Sequence, residues 1–505
     1  MSEGLVLGRE EDGSPLVVGD HRRPMHILGV PGMGKSTLLG HLAETAVATG
    51  AGALLIDIKD GALAADVAAR TRYPEKLVYV APGLAYQEGR TFGLNVLEGP
   101  PAVVVDNVLD VFERTGSLNS SFMTQVRSFL TMALRLAVGQ PESTTLHDVG
   151  RILTDQRTRQ RFLAQGRLTD RVQAFWDDFN AQALKSGEAS KTQRDAVAST
   201  IVRLDQFLVP DILAALLAQP RSTLRLAELL DAGMLVVCNL VEGVPPREVK
   251  LLGNLVMAVL VNAALARRVD EGSRHWFVVA DEFDLLAADP FVTSLDKLRA
   301  ARIVPYMAHQ NLSQLSPELS NSLSGAGLKV YFRPSGQDKG PLARLYGAKE
   351  AAAMATLPKH HARVWLGDEP GGVDWLPPIE PGWTTVATPD WWCPRDPAQL
   401  QKAIAASVAY TVPLHPTTTQ ENDDARPLRT VGTGNTATAG AQTAPPPAPA
   451  ADPPQPGAGP ASALRPDPQR DGGAGRARSV PVSDKPSSRR TVVPRPPELD
   501  WGGSG

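Results

Sequence analysis

Two cysteines, Cys238 and Cys393, are all that the 505 residues contain, and they lie far apart in the chain. That scarcity excludes a disulfide framework and a four-cysteine zinc site, and it fits a reducing compartment. A surplus of either charge is missing too: 51 Lys and Arg face 54 Asp and Glu, a net charge of −3. No global basic field marks the chain for nucleic acid, so any contact with a phosphate backbone has to be local. The first twenty residues lack a basic segment followed by an apolar core, which predicts no secretory signal. No apolar run approaches the ~20 residues that cross a bilayer. The richest stretch, 251–266, holds Asn254 and Asn262 and stops at Arg267 and Arg268, the pattern of a buried helix. His and Cys nowhere show metal-ligand spacing, and no repeat of fixed period is present.

What is there is a globular composition, 43% hydrophobic and 21% charged, with room for two or three sizeable cores. After a lead over 1–20, residues 21–100 alternate short apolar bursts (Met25–Leu28, Ala53–Ile58, Leu77–Val80) with helical stretches, which predicts a parallel sheet. Over 101–221 the strand signal vanishes, and 122–137 and 171–208 carry amphipathic helical spacing. Strand–helix alternation resumes over 222–413, at Met234–Leu240, Trp276–Ala280 and Ile303–Ala308. One α/β domain with a mostly parallel sheet is therefore interrupted by an all-helical insertion. From 414 to 505, Thr, Ala, Pro, Gly and Ser dominate and periodicity disappears, so this stretch is expected to be a disordered tail. Its late arginines, among them Arg476, Arg478, Arg489, Arg490 and Arg495, are read as part of a solvated linker, the alternative being contact with an acidic partner or nucleic acid.

Chemistry concentrates at four places. Gly29, Val30, Pro31, Gly32, Met33, Gly34, Lys35 and Ser36, followed by Thr37, form a complete phosphate loop between an apolar strand and a helix. Its glycines let backbone N–H groups turn onto phosphate oxygens, with Lys35 for the β/γ-phosphates and Ser36 for Mg²⁺. Phe277–Glu282 is an apolar strand that delivers two carboxylates at its end. Asp281 would hold Mg²⁺ through water, and Glu282 would deprotonate or orient the attacking water. Gln310, after the next strand, is placed to sense the γ-phosphate, the alternative being a cap on the following helix; His309 beside it reads as structural. Arg333, Arg302 and Arg299 are candidates for an arginine acting on a neighbouring subunit's nucleotide, Arg333 and Arg302 ahead of Arg299. The expected ligands are ATP and Mg²⁺.

Together these segments resemble the DNA-translocating HerA/FtsK-type ATPases, and among them the type IV coupling proteins of bacterial conjugation. Ile56–Gly61 resembles the family's Asp-Pro-Lys-Gly segment, with Ile58 in place of proline. Gly93–Leu97 resembles its Asn-Pro-Leu segment with Val96 in place of proline, Ala308–Leu315 its glutamine motif, and Ser324–Phe332 the stretch before its last core strand. The resemblance implies a RecA-like P-loop NTPase core and a hexameric ring that hydrolyses ATP between subunits and draws DNA through a pore. It also implies relaxase or secretion-channel partners. Lys185, Lys191 and Arg194 are pore-contact candidates. Trp365, Trp375, Trp383, Trp391 and Trp392 could stack on bases, though packing near the domain's end is their commoner role. Coupling proteins carry N-terminal membrane helices; with no span here, a cytoplasmic relative is expected, recruited by partners to the inner face of the membrane. Three other readings fit the same residues: a soluble HerA-type ATPase partnering a nuclease, an ATP-dependent protein secretion or assembly factor that DNA does not stimulate, and a nucleotide-binding regulator with negligible hydrolysis, for which Glu282 would be dispensable.

Overall fold

Short apolar segments bounded by glycine and proline become strands here, and their register brings the ends of distant segments together. The protein is described from a computed structural model over residues 5–19, 22–115, 123–183, 188–286, 295–315, 319–320, 323, 326–367, 383–389 and 393–414. The strands in chain order are β1 (Leu5–Arg9), β2 (Pro15–Val18), β3 (Met25–Leu28), β4 (Gly52–Asp57), β5 (Leu77–Val80), β6 (Arg90–Phe92) and β7 (Leu235–Asn239). They continue with β8 (Trp276–Ala280), β9 (Ile303–His309), β10 (Leu328–Tyr331), β11 (His361–Trp365), β12 (Trp383–Ala387) and β13 (Thr411–Pro413). Eleven of them form one sheet in the order β2-β1-β12-β11-β10-β3-β9-β8-β4-β7-β5. From β10 to β5 every pairing is parallel. β11, β12, β1 and β2 extend the sheet antiparallel. β6 and β13 pair separately.

Both faces of the parallel part are buried, as continuous apolar strands require. Alternation along β9 shows the division. Val304, Tyr306 and Ala308 join the cluster that includes Leu38, Leu39 and Leu42 of helix Lys35–Ala48. Ile303 and Met307 join the opposite cluster. That second cluster runs on without a break through Leu252, Leu255 and Leu260 of helix Pro246–Ala266 into the helical insertion, reaching Leu134, Trp176 and Phe207. The insertion, read as 101–221, lies between β6 and β7 and contains only helices among its described residues, from Pro101–Thr115 to Asp211–Leu217. It is stitched to the sheet by Asn95, whose amide donates to the carbonyls of Thr144 and Pro220, both at 2.9 Å. Helix Pro246–Ala266 has the length and composition to cross a membrane, but 67% of its apolar window is buried inside the protein.

The stretch 1–20, read as a mere lead, supplies the β1–β2 hairpin at the sheet's antiparallel end. Trp365 and Trp383 pack on each other at 5.8 Å between ring centroids, and Trp383 lies 5.2 Å from Tyr331, so their rings serve packing. Lys185, Trp375, Trp391, Trp392 and the tail beyond Leu414 lie outside the described residues.

Candidate active site

Parallel strands all present their carboxyl ends at one edge, and ligands of such sheets bind there. At this edge β3 runs into the glycine loop, β4 into Ile58–Gly61, β8 into Asp281 and Glu282, β9 into Gln310, and β10 into Phe332 and Arg333. β9 lies between β3 and β8. The strand carrying Gln310 is thereby interposed between the phosphate loop and the two carboxylates, and register pairs Leu28 with His309 and Ala280 with Met307.

The glycine loop opens helix Lys35–Ala48, whose free N–H groups and dipole favour an anion. Gly34 has φ 111°, and a Cβ there would stand 2.8 Å from His360 Nδ1, so a side chain would both strain the backbone and strike its neighbour. Arg333 holds the loop from outside through its carbonyl, which accepts from Val30 N–H at 3.0 Å, and Met33 O accepts from His360 N–H at 2.9 Å. Lys35 is buried and donates to the carbonyls of Gly29 and Val30. Burial pulls its pKa down, partly countered by Asp281 and Glu282.

Ser36 Oγ donates to Asp281 Oδ2 at 3.2 Å. Asp281 is 2% exposed, and burial raises its pKa against the opposing pull of Lys59 and Lys35. A hydroxyl and a carboxylate oxygen at this separation suit Mg²⁺, which takes few protein ligands and completes its shell with water and phosphate. The loop's N–H groups and Lys35 fit a nucleotide's phosphates on the same grounds.

Glu282 follows with φ 53°, a left-handed backbone that costs a residue with a side chain roughly 1–2 kcal/mol. Its N–H donates to Asp281 Oδ1 at 3.1 Å. Gln310 Nε2 donates to Glu282 Oε1, and Lys59 Nζ stands 3.1 Å from the same oxygen. The capping role open to Gln310 is taken instead by Asn311, whose N–H donates to Gln314 Oε1 at 2.9 Å. Below Gln310, His309 is fully buried and stacked on His26, with ring centroids 4.7 Å apart and Nε2 atoms 3.3 Å apart. Tyr331 Oη meets His26 Nδ1 at 2.8 Å. Burial drives the pKa of His309 down to about 3 and that of His26 well below its usual value, so both rings are neutral at pH 7. This makes His309 structural, as its position in the sequence suggested.

A TrwB plasmid coupling protein bound to the non-hydrolysable ATP analogue ADPNP superposes with TM-score 0.54 at 17% identity, over 78% of this chain and 91% of that one. The fold is that of the coupling proteins. TrwB with ADP and Mg²⁺ gives 0.53 at 16% identity over 78% and 91%. VirB4 of Thermoanaerobacter pseudethanolicus gives 0.51 at 13% over 79% and 99%. No family model and no curated protein sequence matches the chain.

Within this coupling-protein fold the three arginines part company. Arg333 is exposed at the carboxyl edge beside the phosphate loop. Arg302 lies at the opposite edge, just before β9, and its guanidinium donates to the carbonyls of Glu271 and Ser273. The structure therefore does not bring Arg302 to the site of its own chain. Arg299, one turn earlier, is exposed near that same far edge. Lys59, which lies inside the segment Ile56–Gly61, is brought by the structure into the carboxylate cluster.

Proposed function

We propose that the chain is an ATPase of the coupling-protein type that uses hydrolysis to move DNA in conjugative transfer, working as a hexameric ring. The observation that carries the reading is the convergence of Lys35, Ser36, Asp281, Glu282 and Gln310 at one sheet edge, with the lytic carboxylate held by Gln310. Lys35 and the loop N–H groups bind the β- and γ-phosphates; Gly29 to Gly34 shape the cradle, and Thr37 follows Ser36 in the helix's first turn as part of the nucleotide-binding set. Ser36 and Asp281 would hold Mg²⁺, which when bound would supply charge neutralisation at the phosphates. Glu282 takes a proton from water as the water oxygen bonds to the γ-phosphorus and the bond to the ADP oxygen breaks, yielding ADP and phosphate. Arg333 is the finger candidate best placed at the edge where subunits of a ring would share nucleotide. Division of the chain at 21–100, 101–221 and 222–413, with partners such as a relaxase or channel and DNA contacts through Lys191 and Arg194, belongs to the same proposal.

Steady-state ATPase activity of the full chain, with and without single- and double-stranded DNA across a salt series, tests it. Stimulation by DNA that fades with salt is expected, because phosphate contacts release counterions. Turnover indifferent to both DNA forms favours the protein-secretion reading, to which the net charge of −3 already lends support.

A further inference from the structure

The turn after β4 is built around one lysine. Asp57, buried at the strand's end, accepts from Lys59 N–H at 3.1 Å through Oδ1 and from Ala64 N–H at 3.1 Å through Oδ2. A single carboxylate thus ties the turn to the first residues of helix Ala62–Arg70. Gly61 completes it with φ 74°, where a Cβ would stand 2.8 Å from Asn239 Oδ1. Because β4 pairs directly with β8, with Ile56 opposite Ala280, the turn projects Lys59 across the end of the carboxylate strand. Its Nζ reaches Glu282 Oε1 at 3.1 Å and Asp281 Oδ2 at 4.0 Å. Burial works against the ammonium, but Asp281, Glu282 and Asp60 outweigh it and raise its pKa, so it is a permanent cation.

An exposed lysine on a surface carboxylate would be an incidental pair. Here the Glu282 side chain is 6% exposed, and Lys59 shares Oε1 with the Gln310 amide while nothing among the described residues donates to Oε2. Two donors from two different strand ends, on one oxygen, fix which way the carboxylate points. We propose that Lys59 is a positioning residue for hydrolysis: with Gln310 it pins Glu282 Oε1, leaving Oε2 as the oxygen that accepts the proton of the attacking water. The inference rests on the reading of Glu282 as general base and deepens it.

The test compares Lys59→Met and Lys59→Arg in the full chain, alone and combined with Glu282→Gln, by steady-state turnover and by binding of ADP and ADPNP. Lys59→Met is expected to lower kcat roughly 10- to 100-fold, the cost of a misaimed reacting group. Affinity for ADP and ADPNP should stay within about twofold, since no ground-state phosphate contact is lost. Lys59→Arg should recover most of the rate, and Lys59→Met should cost nothing further in the Glu282→Gln background. Weakened ADPNP binding with unchanged ADP binding, together with a further loss on top of Glu282→Gln, would instead place Lys59 on the γ-phosphate and overturn the proposal. An unchanged kcat in Lys59→Met overturns it as well. If Glu282→Gln itself turns over at the parent rate, the base assignment fails first, which separates the two. Should Lys59→Met not fold, Lys59→Gln, which keeps a donor without the charge, carries the same comparisons.

Discussion

The two edges of the parallel sheet put charged side chains to opposite uses. At the amino edge, where β8 and β9 begin, Arg267 donates to the carbonyls of Ala301 and Arg274, pairs with Asp231 and lies 4.3 Å over the Trp276 ring. Trp276 Nε1 donates to the same Asp231 oxygen at 2.9 Å. Arg274 is spent on Gly50 O, and Arg302 on Glu271 and Ser273. Every one of these cations is consumed by fixed acceptors, and the result is a seam. At the carboxyl edge, Lys59 stands 3.1 Å from Glu282 and 4.0 Å from Asp281, Lys35 is buried within the field of the same two carboxylates, burial opposes these charges, and Glu282 sits in a strained backbone. Charge that is costly where it stands is what a binding edge requires, because a ligand with phosphates and a metal can then be bound on favourable terms. Saturated arginines hold the fold; crowded lysines and carboxylates await a substrate.

That contrast predicts opposite mutational signatures. The largest effects belong to the carboxyl edge. Glu282→Gln should cut turnover about 100-fold or more, the usual contribution of a positioned base, while nucleotide affinity and melting temperature stay near the parent values. Lys35→Ala should abolish measurable ATP binding, read by calorimetry, again with the fold intact. Loss of stability in either variant, with retained turnover, would erase the distinction between the edges.

The amino edge should answer in stability. Arg267→Ala removes a 5%-exposed guanidinium and leaves the carbonyls of Ala301 and Arg274 without this donor, while the half-exposed Asp231 keeps Trp276 Nε1, an expected cost of about 1–3 kcal/mol in chemical denaturation. Turnover per folded molecule should not change.

Between the two edges lies the His26–His309 stack, which makes a pH-dependent prediction. The folded pKa of His309 is about 3, below the unfolded value of about 6.5. The unfolded chain therefore binds the proton first, and stability is lost as pH falls from about 6.5 towards about 3, by at most about 1.4 kcal/mol per pH unit for this ring. His309→Gln should flatten that limb in denaturant titrations at pH 7, 6 and 5. An unchanged slope would mean that the ring is already charged, and that the sheet tolerates a cation beneath Gln310.

How much of this was readable beforehand follows from how local each feature is. The phosphate loop is made of consecutive backbone N–H groups, so eight adjacent residues, Gly29 to Ser36, carry its chemistry in their order. Asp281 and Glu282 were legible because one apolar strand, Phe277–Ala280, announces where it ends. The parallel core and the helical insertion followed from period alone. Lys59 was quoted without a role, since its meaning depends on β4 lying beside β8, a register that no local pattern encodes. The antiparallel extension escaped for the same reason: β1 meets β12 through Arg9 and Ala387, residues from opposite ends of the described chain. The edge on which Arg302 lies was not readable, because a lone arginine near a strand looks alike at either end of that strand, and only the strand's direction places it.

Arg302 also offers the finest test of the two-edge contrast. It combines φ 57° with two bonds to backbone carbonyls, so its backbone is strained and its side chain offsets that strain. Arg302→Ala loses the bonds and keeps the strain, whereas Arg302→Gly loses the bonds and relieves it. The glycine variant should therefore be the more stable of the two by roughly 1 kcal/mol, and both should hydrolyse ATP at close to the parent rate. An arginine acting across a subunit boundary would show the reverse: equal stabilities within error and turnover collapsed in both, recoverable only in mixed rings that pair a variant subunit with Glu282→Gln subunits. That result would move Arg302 from the seam to the site and show that the amino edge of one subunit completes the carboxyl edge of the next.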